Sequence, residues 1–252
     1  SAATPSVARP RPASGVATSG VTSGGAVSGV SVGEGTRTAA VLARKLGRAP
    51  EFLIGMGNDL DPGYDWEKNG AHILGPKLDI HYAYLTGLQG EFGWPDWNEG
   101  GYFPQLIAKV DIARGVIPMF SVWSMPARGE NNLGNMNDSS FMTPYWAQAV
   151  VLFQRLAELD APAIVHVEPD YFAYAERANG DPTKLPALLH ADCEGLPRDM
   201  TGFGRCWTRL ARKYAPKVAI GFHASQWAAD NPVDAGKYLK ACGADETDMV
   251  VI

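Results

Sequence analysis

The run at residues 163–172, AIVHVEPDYF, brings His166, Glu168 and Asp170 to the end of an apolar stretch, with Pro169 between the two carboxylates. Successive side chains of a strand alternate faces, so His166 and Glu168 are expected on one side, two residues apart. With Pro169 marking the strand exit, Asp170 is expected just above the sheet. Two carboxyl groups this near one another do not both ionise freely. One keeps its proton to higher pH, as a general acid must. The plainer reading is a capped turn; the sharper one is a site rim built for proton transfer.

Other apolar runs end in the same way. EFLIGMGN closes on Asn58 and Asp59, and KLDIHYAYLTG carries His81, Tyr82 and Tyr84. VIPMFSVWSMP supplies Ser121, Trp123 and Ser124, followed by Arg128 and Glu130. KVAIGFHASQW supplies His223, Ser225, Gln226 and Trp227. Trp94, Trp97, Trp123, Tyr171 and Trp227 would add flat apolar faces with polar edges, which suit sugar rings. Trp94 and Trp97 sit in the Gly- and Trp-rich interval GEFGWPDWNEGGYFP, which reads either as a substrate-facing loop or as ordinary covering. His81 by itself reads as a hydrogen-bonded core histidine or as a ligand.

These residues need a scaffold, and the pattern between them supplies one. Apolar runs beginning at residues 52, 78, 116, 162, 217 and 248 alternate with segments of helical spacing. TPYWAQAVVLFQRLAELD reads as an amphipathic helix with Thr143 as cap and Pro144 at the first helical position. PVDAGKYLKACG reads as another, with Asn231 as cap and Pro232 next. Continuous apolar strands separated by helices predict a parallel sheet covered by helices. No Gly-x-Gly-x-x-Gly follows the first strand and no phosphate loop is present, so a nucleotide-binding doubly wound sheet is disfavoured. The expected fold is an α/β parallel (β/α) barrel, TIM-like, with its chemistry at the C-terminal strand ends. The sixth run ends at Ile252, so an eight-stranded barrel would lack its last two strands. A distorted barrel or an open six-stranded sheet is the alternative.

Residues 1–35 are almost wholly Ser, Ala, Gly, Val, Thr and Pro, too poor in large apolar side chains to offset ordering entropy. They read as an extracellular linker, and residues 36–252 as one barrel domain of a secreted protein. At 252 residues and 46% hydrophobic the chain can bury one substantial core. Net charge is −5 with no basic run, so nucleic acid is not an expected partner. No apolar stretch approaches the ~20 residues of a membrane span, and no signal-type segment stands at Ser1. Cys193 and Cys206 bracket a Gly-, Pro- and Asp-rich loop suited to a local disulfide. Cys242 is then left as a buried thiol or paired elsewhere. No Cys-x-x-Cys suggests a zinc ribbon or redox site.

With VEPD and its neighbours in view, the chain resembles the glycoside hydrolase family 6 cellulases. There an apolar strand ends in Glu-Pro-Asp and the Asp is the proton donor. VWSMP and VAIGFHASQW stand where that family has its Leu-Pro or Ile-Pro strand and its Asp-Ala-Gly-His strand. The resemblance covers residues 116–230, and it implies Asp170 as general acid with Glu168 beside it. The family's Asp-Arg-Asp-Cys is replaced by Ala127, Arg128, Gly129 and Glu130, so Glu130 becomes the candidate second carboxylate. His223 stands in place of the family's Asp, and a later carboxylate would fall beyond Ile252. The motif also resembles the Asn-Glu-Pro of retaining barrel glycosidases, which makes Glu168 the acid/base instead. Both resemblances imply a secreted glycosidase acting on a β-linked polysaccharide, a cellulose-like glucan first, with no cofactor. Two rivals stand beside them. One is a metal-dependent barrel hydrolase or isomerase that gathers His81, His166, Glu168, Asp170 and His223 on a cation. The other is a barrel that binds sugar without catalysis.

Overall fold

The computed structural model describes residues 34–57, 78–228 and 231–252. The tract expected as a linker lies outside them through residue 33, while its last two positions, Glu34 and Gly35, open a helix instead. That helix is α1 (Glu34–Lys45), followed by β1 (Gly55–Gly57), β2 (Ile80–Thr86), α2 (Phe103–Ala113) and β3 (Ile117–Trp123). Next come α3 (Ser139–Ala157), β4 (Ala163–Val167), α4 (Tyr171–Ala178) and α5 (Met200–Tyr214). The last are β5 (Val218–His223), α6 (Pro232–Ala241) and β6 (Met249–Val251).

The six strands pair in parallel in chain order, β1-β2-β3-β4-β5-β6, as a curled half-barrel with helices between them. A doubly wound sheet reverses its strand order at a switch point. No reversal occurs among the described strands.

Alternation along each strand divides the residues into two environments. Ala83, Leu85, Phe120, Val122, Val165, Val167, Ile220 and Phe222 join the main core beneath the helices. On the opposite face, Ile117, Ile164 and Ala219 pack with Leu46, the residue that follows α1, into a small second cluster. Above that apolar floor the same face turns polar. Register places Tyr84, Ser121, His166 and Gly221 side by side at one level. Gly221 brings no side chain to this level, where Met249 of β6 packs close, and the His166 imidazole reaches the next interior residue of β5, His223.

Two local readings need correction. Helix α3 begins four residues before Thr143, because the Asp138 side chain accepts from the Ser140 N–H at 2.8 Å and caps it there. Pro144 therefore lies inside the helix, where its missing N–H leaves the Ser140 carbonyl without its intrahelical donor. Arg128 Nη2 donates to that carbonyl at 3.4 Å. Helix α4 was not foreseen. Its eight residues begin directly after the Glu-Pro-Asp turn, with the Tyr174 N–H donating to the Asp170 carbonyl at 2.9 Å.

Cys193 and Cys206 form a disulfide with Cα atoms 5.4 Å apart, tying the loop before α5 to that helix. Cys242 is the buried thiol, and burial pushes its pKa up to about 12. Replacing Cys193 and Cys206 by Ser should cost roughly 3 kcal/mol, read as a lower denaturant midpoint. In the native wild type a thiol reagent should find no reactive group, and after denaturation it should find one, Cys242. Among the described residues, no helix is long and apolar enough to cross a membrane.

Candidate active site

The chain leaves β4 through a strained turn. Glu168 has φ 46° and Asp170 has φ 67°, both in the left-handed region, on either side of Pro169. Each such residue costs on the order of 1–3 kcal/mol and persists only where the surroundings hold it. Strict alternation would send Glu168 to the His166 face. The positive φ sends it the other way, into the layer between sheet and helices.

Glu168 is fully buried there. The Ser124 and Met125 N–H groups donate to its carboxyl at 3.1–3.2 Å, and the Tyr145 hydroxyl of α3 donates at 3.0 Å. Trp207 Nε1 of α5 in turn donates to the Tyr145 oxygen at 2.9 Å. Burial pushes the Glu168 carboxyl up to about 8, against the pull of these three donors. Two expectations fail here. Glu168 is not beside His166, and its raised pKa comes from burial rather than from Asp170. Buried away from solvent, it fastens the ends of β3 and β4 to α3.

Asp170 takes the opposite environment. Its side chain is 38% exposed above the interior face of the sheet. Ser225 Oγ donates to Oδ1 at 2.5 Å, and Trp227 Nε1 donates to the same oxygen at 3.0 Å. His223 Nε2 lies 3.9 Å from that oxygen. Among the described residues these donors both meet Oδ1, which leaves Oδ2 to meet a ligand. The Trp227 ring packs on Tyr174, centroids 4.8 Å apart, and the Arg177 guanidinium lies over its face at 5.5 Å. The Tyr174 hydroxyl donates to Glu130 at 2.9 Å, so Glu130 joins this rim one residue removed from Trp227. Tyr84 of β2 faces the same carboxylate, whose charge helps raise the phenol's pKa after the larger effect of burial.

Below Asp170 the interior polar layer is continuous. Ser121 Oγ and His166 Nδ1 are 3.1 Å apart, and His166 Nε2 and His223 Nδ1 are 3.1 Å apart. Burial lowers the pKa of His166 to about 4, helped by His223, and burial also lowers that of His223. Both rings are therefore neutral near pH 7.

The remaining expected residues divide. Tyr82 and Trp123 lie on the interior face of β2 and β3, with Tyr82 exposed and edge-on to Tyr84. Gln226 is exposed and lines a largely apolar groove of about 630 Å³, with Ser225, Asn231, Leu239 and Val250. Asn58, with Asp59, falls outside the described residues. Three expected site residues are placed away from the site by burial or by face. His81 points into the helix layer, where both oxygens of Asp111 on α2 lie 3.0 Å from its Nδ1. Trp94 is 1% exposed in the main core, so this part of the loop covers helices rather than facing substrate. Trp97 is not among these three: it stays half exposed while packing edge-on against Phe103 and donating to the Phe92 carbonyl. Tyr171, the first residue of α4, is 1% exposed and turned into the main core.

The cation set fails for the same reason. His81 and Glu168 lie in the helix layer while His166, Asp170 and His223 lie on the other face. Among the described residues, no group of three His, Cys, Asp or Glu side chains is placed to hold a metal. Sequence reading missed Tyr145, Trp207, Tyr174 and Arg177. For Tyr174 a signal existed, its spacing of four from Asp170 on a helix. Tyr145 and Trp207 had none, since they meet Glu168 only through tertiary packing.

No protein-family model matches the chain, and no curated protein matches it. Among solved structures it is similar to the endoglucanase Cel6 from Mycobacterium tuberculosis in complex with methyl-cellobiosyl-4-deoxy-4-thio-β-D-cellobioside. That likeness has a TM-score of 0.45 and 16% identity over 83% of this chain and 63% of the endoglucanase. It is also similar to D-psicose 3-epimerase from Clostridium cellulolyticum H10 with D-tagatose. There the TM-score is 0.41 and the identity 11%, over 79% of this chain and 62% of the epimerase. The chain thus spans less than two thirds of the length of either.

Proposed function

We propose that this protein is a glycoside hydrolase that acts outside the cell on a β-linked glucan, with Asp170 as the proton donor. One observation supports the reading above the others. Asp170 is a part-exposed carboxyl at the C-terminal mouth of β4, with two donors on Oδ1 and Oδ2 free, beside Trp227. Barrel enzymes place their chemistry at this end of the sheet. A carboxyl whose one oxygen accepts hydrogen bonds can present the proton on its other oxygen to a glycosidic oxygen. Tyr82, Tyr84, Tyr174 and Trp227 supply flat faces around it for a sugar ring. Glu130, held on this rim by Tyr174, is the candidate second carboxylate. The disulfide supports an oxidising compartment.

The test is incubation of the purified protein with a panel of soluble β-linked glucans and their oligosaccharides. New reducing ends are expected from at least one glucan. Binding of oligosaccharide without any product after long incubation would favour a sugar-binding barrel instead.

A further inference from the structure

Three hydrogen-bonding groups lie in line behind Asp170, and the proton positions along that line can be worked out from geometry. Ser121 Oγ meets His166 Nδ1, and His166 Nε2 meets His223 Nδ1, each at 3.1 Å. His223 Nε2 then lies 3.9 Å from Asp170 Oδ1. Each neutral imidazole carries one N–H and one bare nitrogen. The His–His contact needs one of each, so the two tautomers are locked together. Only two arrangements satisfy the line. In one, all N–H groups point toward Asp170 and the Ser121 hydroxyl donates. In the other, all point away, Ser121 accepts, and a bare His223 nitrogen faces the carboxylate. The serine accommodates either direction. The carboxylate does not, because a lone pair facing its oxygen is repelled while an N–H is attracted.

We infer that Ser121, His166 and His223 form a one-way hydrogen-bond chain that holds both imidazoles in the Nε2–H tautomer. The chain makes His223 a neutral N–H positioning residue aimed at Asp170. The charge that decides the direction is local. Among the described residues, Asp170 is the charged carboxylate that acts on both rings, and the Tyr84 and Tyr174 hydroxyls near it stay neutral. Arg177 lies over the face of Trp227. A second proton on His223 would have to sit on Nδ1, against the N–H of His166. The pair therefore resists an imidazolium beside Asp170, where a positive charge would keep the acid ionised. The tautomers stand by themselves; the consequence for proton donation rests on the function proposed above.

The test is a long-range 1H–15N correlation spectrum of the 15N-labelled full chain near neutral pH. Both rings should show a protonated Nε2 and a bare Nδ1. In Asp170→Asn the deciding charge is gone, and the two rings should shift together toward a mixture of both directions. An Nδ1–H or an imidazolium in either wild-type ring overturns the inference, as does a spectrum unchanged in Asp170→Asn. A second reading comes from activity. His166→Phe frees His223 Nδ1 to take a second proton, and that positive charge favours ionised Asp170, so the alkaline limb of kcat/KM should move to lower pH by about one unit, whereas a merely structural histidine would lower turnover at every pH alike. If no glucan is hydrolysed, the proposed function fails while the spectra still decide the tautomers. If His166→Phe does not fold, the wild-type and Asp170→Asn spectra carry the test.

Discussion

Asp170→Asn is expected to lower turnover on a β-linked oligosaccharide by roughly 10²- to 10⁴-fold, the range a positioned general acid contributes. The fold should survive, for three reasons visible around the residue. Asn tolerates the left-handed backbone at φ 67° better than most side chains do. Its carbonyl oxygen can accept from Ser225 and Trp227 in place of Oδ1. Its exposure means that no buried charge is left unpaired. The unfolding midpoint should therefore barely move while activity disappears. Asp170→Ala would blur the result, because it frees the Ser225 and Trp227 donors as well.

Glu168→Ala should behave in the opposite way, as a failure of stability. Three buried donors, from Ser124, Met125 and Tyr145, lose their acceptor together. Each unsatisfied buried group costs about 1–3 kcal/mol, so a loss on the order of several kcal/mol is expected from chemical denaturation. The pH dependence has a definite sign. Burial raises the folded-state pKa from 4.5 to about 8, so between those values the native state holds a proton that the unfolded chain has released. Stability from this group is complete below about pH 4.5 and declines as pH rises through about 8. Glu168→Gln, which cannot ionise, should remove that component of the slope. It should also start from lower stability, because its amide N–H₂ would face a backbone N–H. A wild-type stability that rises steadily from pH 5 to 8 would contradict this assignment of the Glu168 proton.

The two carboxylates stand two residues apart in the sequence and do different work, and that difference was not legible from spacing. Alternation along β4 correctly separates Val165 and Val167 from Ile164 and His166, because a strand's side chains follow its backbone period. It fails at Glu168 because the strand has ended and φ has changed sign. No residue type announced that reversal, since Glu is not a preferred left-handed residue. Only Ser124, Met125 and Tyr145, brought in from β3 and α3, explain why it is worth adopting. Cap chemistry was legible where it is local. Asn231 accepts from the N–H groups of Val233 and Asp234, with Pro232 following, as read. At α3 the Asp138 cap displaced the Thr143–Pro144 reading, because Arg128 serves the carbonyl that Pro144 leaves open. Trp94 and Tyr171 illustrate a further limit. An aromatic residue in a loop or after a turn looks the same in sequence whether it faces sugar or core, and both are 1% exposed.

The most direct measurement of Asp170's role compares leaving groups. An aryl β-glycoside with an acidic phenol departs without protonation, whereas a sugar alcohol does not. If Asp170 delivers the proton, Asp170→Asn should lose roughly 10² or more in kcat/KM on the oligosaccharide, yet stay within about tenfold of wild type on the activated aryl glycoside. Equal losses on both substrates, or full activity on the oligosaccharide, would contradict the assignment.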